Sequence, residues 1–110
     1  MEQDFRYQVT GDCLVVQMPV ELDQHMADAV IRELDFLLVS YGVHRLVFDF
    51  EDTTFMDSSG LGVVIGRSKK LAYIGGITYA IHVSDRIRRM FHAGGIDKIV
   101  EIMGEANADE

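Results

Sequence analysis

The chain contains very little cysteine, proline and tryptophan. Its 110 residues include one cysteine, one proline and no tryptophan. A single cysteine, Cys13, cannot form an internal disulfide, which fits a reducing compartment. One proline and a hydrophobic fraction of 48% argue against disorder. The chain is long enough to bury a core of its own, so we expect a single domain over residues 1–110.

Long apolar runs and a basic N-terminal segment are also missing. No apolar stretch approaches the length needed to cross a bilayer. Residues 1–4 are acidic and no apolar run follows them, so they do not form a signal peptide. These absences predict a cytoplasmic protein with no membrane partner.

Basic residues are outnumbered by acidic ones, and the formal net charge is -8. Nucleic-acid binding requires a basic face, so we predict no direct nucleic-acid partner. The charge is uneven, because seven of the ten basic residues lie between residues 58 and 98. This asymmetry indicates either a polarised surface that steers a charged protein partner or helices that expose solvated basic faces.

Short apolar strands alternate along the chain with amphipathic helices. Strands are predicted at residues 5–9, 13–18, 46–50, 78–83 and 99–103, and helices are predicted after the caps Asp23, Ser58 and Ser84. The apolar character of residues 46–50 indicates a strand buried on both faces. The order ββαβαβαβ predicts an α/β domain with a mixed, mostly parallel sheet of about five strands and helices packed on it.

Three loops follow strand ends in this scheme, at residues 21–24, 51–59 and 83–85. The carboxyl ends of parallel strands lie at one edge of a sheet, and binding sites assemble there. We therefore expect the three loops to gather at that edge.

The middle loop overlaps the segment Phe-Met-Asp-Ser-Ser-Gly-Leu-Gly at residues 55–62, which joins a strand to a helix. Its position predicts that Ser58 caps the helix, where replacement by Ala typically costs about 1 kcal/mol. A cap does not need the adjacent Ser59, and Gly60 and Gly62 each lower helix propensity by roughly 1 kcal/mol. Bare backbone at these glycines suits close approach by another molecule. Leu61 either is an exposed anchor for a partner or packs inward as a hydrophobic staple.

Phosphorylation supplies a physical reason for a serine at this place. A phosphoserine carries nearly two negative charges. The dipole and the free N–H groups of a helix N-terminus stabilise such an anion, whereas Asp57 beside it repels the charge. We therefore expect modification of Ser58 to leave the fold unchanged while its bulk and charge block a docking surface.

A catalytic serine is the alternative interpretation of the same segment. The nucleophile elbow requires a glycine two residues before the serine, but Met56 and Asp57 occupy those positions before Ser58 and Ser59. The four histidines show no spacing that implies a base or a metal site, and no Gly-x-x-x-x-Gly-Lys segment is present for a nucleotide. We therefore predict that the chain is not an enzyme and uses no metal or other cofactor.

Residues 55–67 resemble the phosphorylation segment of STAS-domain anti-sigma factor antagonists, of the SpoIIAA type of spore-forming bacteria. The likeness extends to the Glu-Leu-Asp turn at 21–23, the strand and loop at 46–52, Ile-Gly-Gly at 74–76 and the segment 89–95. It covers about residues 6–102 and leaves a polar tail at residues 104–110. Two departures are the N-terminal strand, which matches poorly, and Pro19-Val20, since the family often has glycine before the Glu-Leu-Asp turn.

The resemblance implies a STAS fold and a regulatory mechanism. The unphosphorylated antagonist binds an anti-sigma factor that is also a serine kinase, and this frees a sigma factor. The kinase uses ATP to phosphorylate the antagonist, which then dissociates, and a metal-dependent serine phosphatase restores the active form. By motif position the phosphoacceptor is Ser58. The partner-binding residues implied by the resemblance are Asp23, Asp57, Ser59, Gly60, Leu61 and Gly62.

Related STAS domains give two further possibilities. Related domains regulate stress-response sigma factors or serve in transporters, so this chain could act in a stress-response pathway. The second possibility is a module that senses a small ligand or scaffolds other proteins without phosphorylation. The intact serine pair argues against a scaffold, which needs no phosphorylatable residue. The length of the match favours the sporulation type.

Overall fold

A computed structural model describes residues 6–104, in which strands and helices alternate as predicted. The strands are β1 (Tyr7–Thr10), β2 (Cys13–Gln17), β3 (Glu21–Leu22), β4 (Arg45–Asp49), β5 (Phe55–Met56), β6 (Ile77–Ile81) and β7 (Glu101–Met103). The helices are α1 (Gln24–Ser40), α2 (Ser58–Tyr73) and α3 (Asp85–Ala93), and a 3-10 turn (Ile96–Lys98) precedes β7. Among the described residues, no helix has the length and apolar character needed to cross a membrane. The acidic segment 1–4 and residues 105–110 of the predicted polar tail lie outside the described residues.

Five strands form one mixed sheet in the order β1-β2-β4-β6-β7. β1 runs antiparallel to β2, and the other neighbouring pairs are parallel. The predicted α/β fold with a mostly parallel sheet is therefore confirmed. β3 and β5 pair with each other in a separate parallel ribbon. The sequence did not predict this ribbon, because two-residue strands are too short to show a periodic pattern.

The ends of the helices follow the caps read from the sequence. Asp23 accepts a hydrogen bond from the backbone of Met26 at the start of α1, and Ser84 caps α3 in the same way. Gly42 and Gly75 lie just beyond α1 and α2 with left-handed backbones, a conformation that glycine adopts without steric cost. The last strand begins at Glu101, two residues later than predicted, because the N–H groups of Ile99 and Val100 donate to the carbonyl of Ile96 in the preceding 3-10 turn.

Only one face of the sheet is fully buried, so the expectation that β4 is covered on both faces is wrong. Leu46 and Phe48 are inaccessible to solvent, whereas Val47 between them is half-buried. β2 and β6 show the same alternation. The core includes the α3 residue Phe91, whose ring meets Phe50 edge to face at 5.8 Å. Each fully buried Leu or Phe stabilises the fold by about 1.5–3 kcal/mol, so the face with full burial carries the core.

An ion pair joins α1 to α2. Nε of the buried Arg67 lies 3.1 Å from the carboxylate of Asp35, and Lys70 Nζ lies 3.2 Å from the second oxygen of that carboxylate. A buried guanidinium left without its partner is strongly destabilising. The pair therefore helps to hold α2 alongside α1.

Candidate functional site

The ribbon of β3 and β5 brings two of the predicted loops together. Glu21 pairs with Phe55 and Leu22 pairs with Met56. The Asp57 N–H donates to the carbonyl of Leu22 at 3.4 Å. Because α1 and α2 begin directly after these strands, their N-termini lie side by side, as expected from loops at one edge of the sheet.

Asp57, rather than Ser58, caps α2, so the prediction for Ser58 is wrong. One Asp57 carboxylate oxygen accepts from the N–H groups of Ser59 at 2.9 Å and Gly60 at 3.3 Å. The other accepts from the N–H of Gln24, the first residue of α1, at 3.3 Å. Aspartate is as good a cap as serine, and here its extended backbone leaves Ser58 as the first residue inside the helix. Asp57 therefore holds both helix N-termini at once.

Replacing Asp57 with Ala is expected to lower the free energy of unfolding by about 2 kcal/mol, the upper end for a lost helix cap. Three backbone N–H groups lose their acceptor in this variant. Asp57→Asn is the matched control, because its amide oxygen still accepts the N–H groups of Ser59 and Gly60, whereas its NH2 group cannot accept the N–H of Gln24. We expect it to lose about 1 kcal/mol of stability, less than the Ala variant. Urea unfolding measures both values. Equal stability of the Ala variant and the parent would contradict this role of Asp57.

The hydroxyl of Ser58 is presented to solvent. Ser58 is exposed and has no hydrogen-bond partner within the described part of the chain, whereas Ser59 is half-buried. The sequence analysis expected free N–H groups at this helix N-terminus to stabilise a phosphate, but those of Ser59 and Gly60 already donate to Asp57. A phosphate on Ser58 would therefore remain on the outer surface beside the Asp57 carboxylate.

The two glycines of the segment have different roles. Gly60 is buried, and a Cβ atom there would lie 2.4 Å from Cγ of Met56 and 2.6 Å from the carbonyl oxygen of Leu22. The expected close approach at Gly60 is thus made by the chain itself and not by another molecule. Gly62 is exposed, and a Cβ atom there would have no neighbour within 4 Å. Only Gly62 leaves bare backbone open to a partner.

The exposed apolar side chains of this edge are Val20 and Phe55, which the sequence analysis did not include among the partner-binding residues. They are adjacent, because the Phe55 N–H donates to the Val20 carbonyl at 3.2 Å. Leu61 is half-buried and packs against the core, which favours the inward alternative for this residue. Arg86 of α3 lies 6.0 Å from the centre of the Phe55 ring, so the start of α3, directly after the third predicted loop, also reaches this edge. No sequence signal marked Val20 and Phe55, because two apolar neighbours such as Phe55 and Met56 do not reveal which side chain is exposed.

Comparisons with known proteins agree with this fold. A family model of the STAS domain matches residues 4–107. The anti-sigma F factor antagonist of Paenibacillus polymyxa is 34% identical over 96 residues, which cover 86% of this chain and 82% of that protein. The anti-sigma-B factor antagonist of Listeria monocytogenes is 34% identical over 92 residues, which cover 81% of this chain and 80% of that protein.

The anti-sigma factor antagonist SpoIIAA has a similar solved structure in two states. The unphosphorylated protein gives a TM-score of 0.76 and the phosphorylated Bacillus protein one of 0.74, both at 28% sequence identity. The matches cover 93% and 92% of this chain and 89% and 92% of the SpoIIAA chains. With the family model matching nearly the whole chain, the protein belongs to the STAS domain family and, within it, to the anti-sigma factor antagonists.

Proposed function

We propose that this antagonist is switched by phosphorylation of Ser58. In the unphosphorylated state it binds an anti-sigma factor that is also a serine kinase, and a sigma factor is released. The observation that carries the proposal is the exposed Ser58 hydroxyl at the first position of α2, which holds no hydrogen bond within the described residues. A side chain that makes no stabilising contact can be modified without disturbing the fold.

The proposed docking surface surrounds Ser58 at the junction of the two helices. Asp23 and Asp57 lie on either side of the junction, where they cap α1 and α2. Val20 and Phe55 add exposed apolar area, and the bare backbone of Gly62 admits close contact. Apolar and aromatic side chains supply most of the energy of an interface centre. Ser59, Gly60 and Leu61 contribute by holding the start of α2 in shape and by packing below that surface.

The switch acts through charge at the surface. The kinase transfers the terminal phosphoryl group of ATP to the Ser58 oxygen, with loss of the hydroxyl proton and release of ADP. The new group adds nearly two negative charges next to the Asp57 carboxylate, whose own hydrogen bonds keep it in place. The unphosphorylated surface presents the carboxylates of Asp23 and Asp57, whose charges are partly balanced by backbone N–H groups. After phosphorylation, the partner instead meets a bulky phosphate whose charge is not neutralised.

The reaction chemistry belongs to the partners in this scheme. The chain itself carries out no catalysis, binds no nucleic acid and acts in the cytoplasm, where sigma factors work. A serine phosphatase hydrolyses the Ser58 phosphate and returns the antagonist to its binding state. Exposure of Ser58 favours both reactions, because a kinase and a phosphatase must each reach the oxygen.

A stress-response pathway is the second candidate. It is supported by the relatives, since the anti-sigma F and anti-sigma-B antagonists reported above share the same identity of 34% with this chain. The length of the motif match favours the sporulation pathway. Binding to purified anti-sigma F and anti-sigma-B factors distinguishes the two, because only the cognate factor should bind the unphosphorylated chain tightly.

Mass spectrometry after incubation with the anti-sigma kinase of the same genome and ATP tests the switch. We expect one phosphate on the parent protein, one on Ser59→Ala and none on Ser58→Ala. Ser59→Ala is the matched control for Ser58→Ala, because it removes the same hydroxyl group from the neighbouring residue. A phosphate that survives Ser58→Ala would overturn the assignment, and absence of phosphate from the parent protein would overturn the switch itself.

A further inference from the structure

A second cluster of polar side chains lies beyond the ends of β4 and β6 and takes no part in the switch. Asp49 is the last residue of β4, Glu51 follows two residues later, and His82 follows the last residue of β6. The Phe50 N–H donates to the carbonyl of Ile81 at 3.0 Å. This backbone bond continues the pairing of the two strands and brings the three side chains to one place.

The three side chains present donor atoms to a common point. His82 Nδ1 lies 2.8 Å from Oδ1 of Asp49 and 4.0 Å from Oε1 of Glu51. One donor atom from each residue lies within 4.8 Å of the other two. The Glu51 N–H also donates to Oδ1 of Asp49 at 2.9 Å, which fixes that carboxylate.

The cluster is buried on the side of Asp49 and open to solvent on the side of His82 and Glu51. The Asp49 side chain is 17% exposed, whereas those of His82 and Glu51 are 53% and 63% exposed. His82 is also the one non-glycine residue of the described chain with a positive φ, at 56°. This left-handed backbone is disfavoured for a residue with a Cβ atom, yet it places the imidazole over Asp49. An ion could therefore enter from solvent and keep water as its remaining ligand.

We propose that Asp49, Glu51 and His82 form a binding site for a divalent transition-metal ion of the Zn²⁺ type. Carboxylate oxygens and an imidazole nitrogen bind such ions at about 2.0–2.2 Å, so donor atoms of a tetrahedral site lie roughly 3.4 Å apart. The observed separations of 2.8 and 4.0 Å from His82 bracket that value, and small side-chain rotations equalise them. The nitrogen donor favours transition-metal ions over Mg²⁺ and Ca²⁺, which prefer oxygen alone.

The charge of the cluster matches a dication. The carboxylates of Asp49 and Glu51 carry two negative charges, which a divalent ion neutralises. The short Nδ1 to Oδ1 contact requires a proton between the two atoms when no ion is bound. On metal binding, the Nδ1 lone pair turns to the ion and the imidazole carries its proton on Nε2. The ion thus replaces the hydrogen bond that joins the His82 and Asp49 side chains.

Calorimetric titration of the metal-free, tag-free protein with ZnCl₂ tests the site. We expect one ion per chain with a Kd below about 100 µM, and loss of at least about tenfold in affinity in His82→Asn and in Asp49→Asn. Asparagine tolerates the left-handed backbone at position 82, so the first variant removes the imidazole without new strain. Circular dichroism checks that both variants are folded.

His92 supplies the matched control. Its Nδ1 lies 2.9 Å from the Asp97 carboxylate, a similar His–Asp pair that belongs to no three-residue cluster of metal-ligand geometry among the described residues. We expect His92→Asn to bind Zn²⁺ as the parent does. Absence of a saturable heat with the parent protein would overturn the proposal and leave an ordinary ion pair. Unchanged affinity in both His82→Asn and Asp49→Asn would overturn it equally. The phosphorylation of Ser58 is measured separately and does not depend on this result.

Discussion

A Ser58→Asp protein is expected to bind the anti-sigma kinase about 100-fold more weakly than the parent, with its fold intact. Ser58 is exposed and holds no hydrogen bond within the described residues, so the substitution removes no contact that supports α2. A carboxylate at the first position of a helix interacts favourably with the helix dipole. The free energy of unfolding should therefore stay within about 0.5 kcal/mol of the parent value or rise slightly.

We expect this loss of affinity because the interface with the kinase must bury the negative charge of the new carboxylate. The new carboxylate lies next to Asp57, whose oxygens already accept three backbone N–H groups. The Ser59 and Gly60 N–H groups of the first turn of α2 already donate to Asp57, so they are not available to neutralise the new carboxylate. An unpaired charge buried between two proteins costs about 2–5 kcal/mol, and a factor of 100 corresponds to roughly 2.7 kcal/mol.

Ser58→Asn separates the effect of charge from that of size. Asparagine has nearly the shape of aspartate and no charge, so we expect it to reduce affinity by no more than about tenfold. Calorimetry or surface plasmon resonance against the purified kinase gives both values. Parent-like affinity of Ser58→Asp would contradict the proposed interface. Equal loss in the Asp and Asn variants would show that bulk, and not charge, operates the switch.

The fold could be predicted from the periodic spacing of apolar residues and from the residues that cap helix ends. The alternation of apolar strands with amphipathic helices gave the α/β class, and Asp23 and Ser84 marked two helix starts because an N-cap needs a particular side chain at one position. β3 and β5 remained invisible, since two residues cannot show a period. Their pairing is decided by contacts between chain segments more than 30 residues apart.

The identity of the α2 cap shows where local reasoning ends. Asp57 and Ser58 are both good caps, and the sequence places them side by side. In the structure the Asp57 carboxylate also accepts the N–H of Gln24, which belongs to another helix, and this third donor favours Asp57 as the cap. Tertiary structure therefore leaves the Ser58 side chain without a structural task, which supports the proposal that Ser58 is the phosphorylated residue.

The histidines illustrate the same limit for metal sites. Sequence motifs for metal binding rely on ligands a few residues apart on one element, and no such spacing exists here. Asp49 and His82 are 33 residues apart and meet because β4 and β6 are parallel neighbours. The expectation of no metal ligands rested on short-range spacing alone, and titration with Zn²⁺ now tests it.

Replacing Gly60 with Ala is expected to lower the free energy of unfolding by about 2–3 kcal/mol, a cost typical of overpacking. The added Cβ would lie 2.6 Å from the carbonyl oxygen of Leu22 and 2.4 Å from Met56 Cγ. The methionine side chain can rotate away, but the carbonyl oxygen belongs to the backbone of β3 and accepts the N–H of Asp57. Relief therefore requires the start of α2 to move away from α1, which weakens the shared cap and displaces Ser58.

Gly62→Ala is the matched control and is expected to change stability in the opposite direction. Its Cβ would meet nothing within 4 Å, so the higher helix propensity of alanine raises the free energy of unfolding by up to about 1 kcal/mol. Gly60→Ala receives the same propensity gain, and the difference between the two variants in urea unfolding therefore isolates the steric cost. Stabilisation by both substitutions would contradict the tight contact between α2 and β3. Destabilisation by Gly60→Ala alone would show that glycine is needed at this position to let the two helix N-termini meet, independently of any partner.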